Sequence, residues 1–188
     1  MYDVEQVTTR RSTACGPACL KMLLAYNGVD VELGQLVEEC GVGVGGCTGA
    51  DLMRVGRAHG LDMRAWRMDA EEVMAQDRPL IVWWQYNHWC VFAGRDEDGR
   101  VWVCNPSGGR YRVSEGTFAT MYTGVCVSAG EPLALGAEDN IAKGAIFRYE
   151  RQYYRALAAI PRGEEVIVGS NAMAIDMVEI INQLETKE

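Results

Sequence analysis

The chain has 188 residues, 48% hydrophobic and 23% charged, which is enough apolar material for one domain with a buried core and a small appendage. Asp and Glu outnumber Lys and Arg by 26 to 18, giving a formal net charge of -8. An acidic surface with no basic run argues against nucleic-acid partners and against docking on anionic lipid. The polar start, Met1 to Gln6, has neither the positive segment nor the apolar stretch of a secretory signal. The longest apolar runs, Leu80–Trp84 and Trp89–Ala93, are too short to span a bilayer, so a cytoplasmic protein without membrane insertion is expected.

In chain order, Gly16–Tyr26 carries a helical apolar pattern that Asn27-Gly28 ends, and a short helix follows at Leu33–Glu39. The glycine-rich loop Gly41-Val42-Gly43-Val44-Gly45-Gly46 leads to Thr48, an N-cap for a helix through Ala58 that Gly60 stops. Asp62–Arg67 alternates like a strand, and Asp69 caps a short helix to Gln76. Pro79–Gln85, His88–Gly94, Arg100–Cys104 and Gly109–Val113 read as four strands rich in Val, Ile and Trp. Ser114 caps a helix to Tyr122, and Val125–Ser128 is a last strand. Helices first and an antiparallel sheet afterwards make an α+β arrangement. The expected division is a domain over 1–130 and an extension over 131–188. The extension is read as mostly helical: a helix around Ile141–Ile160, a short Val166–Val168 segment, and an amphipathic helix from Asn171 to Leu184. It is expected to pack on the body or to serve an oligomer contact or a partner protein.

Seven cysteines stand at irregular spacing: 15, 19, 40, 47, 90, 104 and 126. An odd count without an export signal disfavours a disulfide framework, and no pair has the two-residue spacing of a zinc ribbon, so no metal and no cofactor is expected. Cys15 differs from the rest. It stands at the mouth of a predicted helix, followed by Gly16 and Pro17, where the helix dipole and free N–H groups favour thiolate. Cys19, one turn further, is expected to face the core. Of the two histidines, His59 lies at a helix end and reads as structural, whereas His88 opens an apolar strand next to a turn. Asn105-Pro106 closes the following strand, and in an antiparallel hairpin residues 88 and 105 fall at the same end. Asn105 can then accept the second ring N–H of His88 and fix its tautomer. Trp83, Trp84 and Trp89 lie near His88 in sequence. Strand aromatics usually pack in the core, and the alternative is one wall of a cleft.

These residues resemble the papain-like fold and, within it, the bacteriocin-leader (double-glycine) peptidases. The resemblance covers roughly Gln6–Phe118. It is carried by Cys15-Gly16-Pro17-Ala18-Cys19-Leu20-Lys21-Met22, by Gly46-Cys47-Thr48 with Leu52 and Gly60-Leu61, by Asn87-His88-Trp89-Cys90-Val91, and by Asn105-Pro106 with Gly109 and Phe118. It implies a nucleophile helix packed on an antiparallel sheet and a cysteine peptidase acting on a peptide or protein substrate. Cys15 would be the nucleophile, His88 the base and Asn105 the orienting residue, where the family has aspartate. A family glutamine upstream of the cysteine supplies an oxyanion donor. Gln6 is the candidate here, nine positions before Cys15 and further than the family interval. Trp84, Trp89 and Gly46 are the candidate substrate contacts, and Gly45-Gly46 itself reads as a turn. The same trio also serves amidases and acyltransferases, and the fold can become a non-catalytic peptide-binding module.

Overall fold

The computed structural model describes residues 1–85, 87–131, 146–149, 152–156 and 172–175. The chain divides into two compact units, Met1–Ala134 and Leu135–Glu188.

In the first unit a short 3-10 turn, Ser12–Ala14, leads directly into helix α1, Cys15–Tyr26. Nine of its twelve residues are buried, from Cys15 through Leu24 with only Lys21 left out, so α1 is a central helix covered on nearly every side. Gly28, at φ +79°, reverses the chain after it, a conformation that costs a glycine nothing. Helix α2, Leu33–Glu39, and helix α3, Gly49–Ala58, follow. The start of α3 is fixed by a reciprocal capping box: Asp51 N–H donates to Thr48 Oγ1 while Thr48 N–H donates to the Asp51 carboxylate. His59, read as structural, has its Nε2 2.6 Å from Glu39 Oε2 and so ties the end of α3 to the end of α2.

Strand β1, Met63–Arg67, and helix α4, Ala70–Met74, connect to the main run of strands: β2, Leu80–Trp84; β3, His88–Arg95; β4, Val101–Asn105; β5, Gly109–Val113. Helix α5, Glu115–Met121, passes without a loop into β6, Tyr122–Ala129. The six strands form one antiparallel sheet in the order β1-β6-β2-β3-β4-β5. The last strand thus lies between β1 and β2. It begins three residues earlier than its Val-rich centre predicts, because Tyr122 already has extended backbone where the helix ends. Core residues on one side of the sheet, among them Ile81, Trp89, Val91 and Val127, pack with Leu20, Leu24, Leu36 and Leu52 of the helices. Phe118 of α5 packs elsewhere on the sheet, with ring centroids 5.5 Å from Trp84, 5.8 Å from Phe92 and 5.7 Å from Tyr122.

In the second unit the described residues are strands β7, Ile146–Tyr149, β8, Gln152–Ala156, and β9, Ala172–Ile175, in a three-stranded antiparallel sheet of that order. This corrects the helix expected around 141–160 and the first turn of the one expected from Asn171. Ile146-Phe147 and Tyr153-Tyr154 are β-branched and aromatic residues that favour a pleated surface, and Tyr149 stands opposite Gln152 as the innermost pair. The Val166–Val168 segment and residues 176–184 lie outside the described residues. Among the described residues no helix is long and apolar enough to cross a membrane.

Candidate active site

Cys15 is the first residue of α1, and Pro17 in the same turn lacks an N–H that would have had no partner there. A side chain at residue 16 has no room: a Cβ on Gly16 would stand 2.4 Å from Cys47 Sγ, 3.2 Å from Trp89 Cδ1 and 3.3 Å from Leu52 Cδ2. Glycine is therefore required beside the thiol. Cys15 is 5% exposed. Burial alone would raise its pKa, but hydrogen bonds from His88 and from the backbone N–H groups of Trp89 and Gly16 outweigh it and leave the thiol more acidic than usual. Cys19 is wholly buried, and burial pushes its pKa up.

His88 opens β3 directly opposite Trp84 in the β2–β3 register. The turn before it places Asn87 at φ +56°, the left-handed region that Asn tolerates better than most residues. His88 Nε2 lies 2.9 Å from Asn105 Oδ1. With Nε2 so engaged, Nδ1 is the ring nitrogen left for a thiol, and Cys15 is the largest influence on the ring, raising its pKa to about 10, followed by the Cys90 thiol. Both shifts run in the direction of thiolate and imidazolium.

Asn105 ends β4, opposite Gly109. Its Oδ1 also accepts the Ser107 N–H at 2.8 Å, and its Nδ2 lies 3.4 Å from Tyr111 Oη, so the amide is oriented from both ends. Gln6 reaches the same corner through the Asn105 backbone: Gln6 Nε2 donates to Asn105 O at 3.2 Å and to Val7 O at 2.8 Å, while its buried Oε1 has no partner. Both Nε2 hydrogens are committed to carbonyls.

Trp89 is buried beneath Gly16, the residue after Cys15. Its Nε1 donates to Cys47 O at 3.2 Å, its ring lies 4.3 Å from that of Trp83, and it spans from Gly16 to Gly49. Gly46 borders the same corner, where a Cβ would meet Thr13 O at 3.5 Å. Trp84 is 4% exposed and packs edge-on against Phe118, so its ring is committed to the core behind His88.

Three neighbours escape a reading of the sequence. Cys90 hydrogen-bonds the His88 ring, and the strand period carried the signal, since residues 88 and 90 share a face. Tyr111 holds the Asn105 amide from the adjacent strand, which only the β4–β5 register reveals. Cys47 lies against Gly16 through a fold of the glycine-rich loop that no local pattern encodes.

A family model described as the peptidase C39 family matches residues 3–131. The chain belongs to that family. With its nucleophile helix laid on an antiparallel sheet, it is a cysteine-type peptidase of papain-like fold. It is similar to a double glycine motif protease from an AMS/PCAT transporter, solved in complex with the leader peptide: TM-score 0.63 and 27% identity, covering 66% of this chain and 89% of that one. The peptidase domain of Streptococcus ComA shares the fold at TM-score 0.62 and 19% identity, covering 66% and 96%. Among curated relatives, the lactococcin-G-processing and transport ATP-binding protein LagD of Lactococcus lactis subsp. lactis is 26% identical over 117 residues. The match takes in 59% of this chain but only 16% of that protein. An uncharacterized protein of Methanothermobacter marburgensis is 26% identical over 122 residues, 64% of this chain and 85% of the relative.

Proposed function

We propose that the first unit hydrolyses a peptide bond after a pair of small residues, Gly-Gly foremost, with Cys15 as nucleophile, His88 as base and acid, and Asn105 as the residue that orients it. The observation that carries this reading is the His88 ring, held at Nε2 by Asn105 and influenced most strongly by the Cys15 thiol. The thiolate attacks the carbonyl carbon, and the oxyanion is held by the Cys15 N–H and the Gln6 amide. His88 protonates the leaving amine as the C–N bond breaks. Water, deprotonated by His88, then releases the thioester as a carboxylic acid. Trp89, filling the space from Gly16 to Gly49, narrows the approach to residues without bulk, and the similar protease solved with a leader peptide is called a double glycine motif protease. The setting is cytoplasmic, where permanent structural disulfides are rare, in keeping with seven unpaired thiols. The 131–188 extension has its own role, in packing or in holding a partner.

The test is cleavage of a synthetic leader peptide ending in Gly-Gly and followed by a cargo segment, read by mass spectrometry across pH. A single cut after the second glycine is expected, and replacement of both glycines by leucine abolishes it. Activity requires the ion pair, so it rises as pH passes the lowered pKa of Cys15. It falls again as pH climbs through about 10, where His88 loses the proton it must give the leaving amine. An intact peptide, or transfer of the acyl group to an added amine in preference to water, would overturn the hydrolase reading.

As oxyanion donor, Gln6 must turn its amide away from Val7 O and Asn105 O as substrate binds. Gln6→Ala then lowers kcat by about 10²–10³ with little change in KM. A loss below about tenfold would instead confine Gln6 to bridging the N-terminal segment and β4.

A further inference from the structure

Cys40 and Cys47 bracket the glycine-rich loop, and neither takes part in the proposed chemistry. Cys40 closes α2 and is 2% exposed; Cys47 stands just before the Thr48 cap of α3 and is half-buried. Between them Gly43 and Gly46 exchange backbone hydrogen bonds, so the loop folds back on itself with Val44 fully exposed at its tip. Both ends of the loop are anchored. Next to Cys40, Glu39 bonds His59 with its side chain and accepts Arg54 Nη2 at 2.9 Å with its carbonyl; next to Cys47, the Thr48–Asp51 capping box fixes the chain. The fold-back of the loop returns Cys47 to the hydrophobic cluster that contains Cys40, each thiol is the largest influence on the other's acidity, and both are unpaired.

We propose that Cys40 and Cys47 form a redox-active dithiol that a small-molecule disulfide oxidises to a reversible disulfide, closing the 40–47 loop beside the nucleophile. One sulfur takes the mixed disulfide and releases the first reduced thiol. The other sulfur displaces the second, so one S–S bond forms, one breaks, and the two thiol protons leave on the reagent's two sulfurs. Their proximity prepares the step: Cys40 ionises more readily than a thiol of ordinary acidity while Cys47 holds its proton harder, so the pair gives up one proton and keeps the other. A disulfide draws the sulfurs to about 2.05 Å. In this proposal Cys47 Sγ, which lies against Gly16, turns towards Cys40 and strains the Cys47 carbonyl that accepts Trp89 Nε1. Oxidation at this pair therefore reaches the indole next to Cys15.

The experiment uses the full chain carrying Cys15→Ser, so that neither a nucleophile adduct nor failure of the peptidase reading affects the outcome. After incubation with glutathione disulfide and alkylation, peptide mapping is expected to give a Cys40–Cys47 cross-linked species lighter by two hydrogens. Tryptophan emission is expected to change in step with its formation and to return with dithiothreitol. Neither change is expected when Cys47→Ser is added. Recovery of both cysteines alkylated, a persistent glutathione adduct at either, or cross-linking of another pair would overturn the proposal. A Cys40–Cys47 disulfide with unchanged emission would overturn its link to Trp89.

Discussion

Cys15→Ser and His88→Ala each lower kcat/KM by about 10⁴-fold or more, and the double variant is no slower than the slower of the two. The non-additivity follows from the geometry. The thiol is made acidic by His88 and by two backbone N–H groups, and that sulfur is in turn the largest influence holding the proton on the imidazole. Cys19, one turn along the same helix and wholly buried, supplies the contrast: Cys19→Ser alters the core and leaves Cys15 in place. The measurement that separates a reactive thiol from a merely present one is iodoacetamide labelling near about pH 6, where ordinary thiols are mostly protonated. Cys15 is expected to label far faster than Cys126, whose pKa burial pushes up to about 12. In His88→Ala that advantage collapses. Equal labelling of Cys15 and Cys126 in the unsubstituted chain would remove the nucleophile assignment.

Phe118→Ala is expected to cost about 3–5 kcal/mol of stability, the range for deleting a fully buried aromatic ring. Phe118 has no exposed surface and joins Trp84, Phe92 and Tyr122, so its loss leaves a cavity lined by rings on three strands that cannot all collapse inward together. Urea unfolding reads the change as a lower midpoint with an unchanged slope. The matched control is Val44→Ala at the wholly exposed loop tip, which should move stability by no more than about 0.5 kcal/mol. The effect also reaches the site: Trp84, the ring that leans on Phe118, is the residue opposite His88.

The first unit was legible because its punctuation is chemical. Thr48 with Asp51, Asp69 with Glu72, and Ser114 with Thr117 all make the caps that their spacing announces, and Gly28 and Gly60 adopt the positive φ that a helix stop needs. The proximity of His88 and Asn105 followed from hairpin logic, and the place of Cys15 at a helix mouth from the apolar pattern after it. What local pattern could not supply was anything set by distant packing. Gln6 does come to the corner, but through the Asn105 carbonyl, and Trp84 turns into the core while Trp89 lies along Gly16. In the second unit, Ile146–Ala156 mixes charges with aromatics at intervals that satisfy helix and strand periods alike. Sheet pairing, a non-local term, decided between them.

The place of β6 in the sheet has a consequence for biosynthesis. Its neighbours, β1 and β2, leave the ribosome about 40–60 residues before it does and have no lateral partner on that side until it arrives. Such distant pairing slows folding, because chain entropy is lost before any contact compensates it. The emerging polypeptide therefore already holds its thiol, imidazole and carboxamide while the scaffold beneath them is open, and the scaffold closes only after Ala129 has been added.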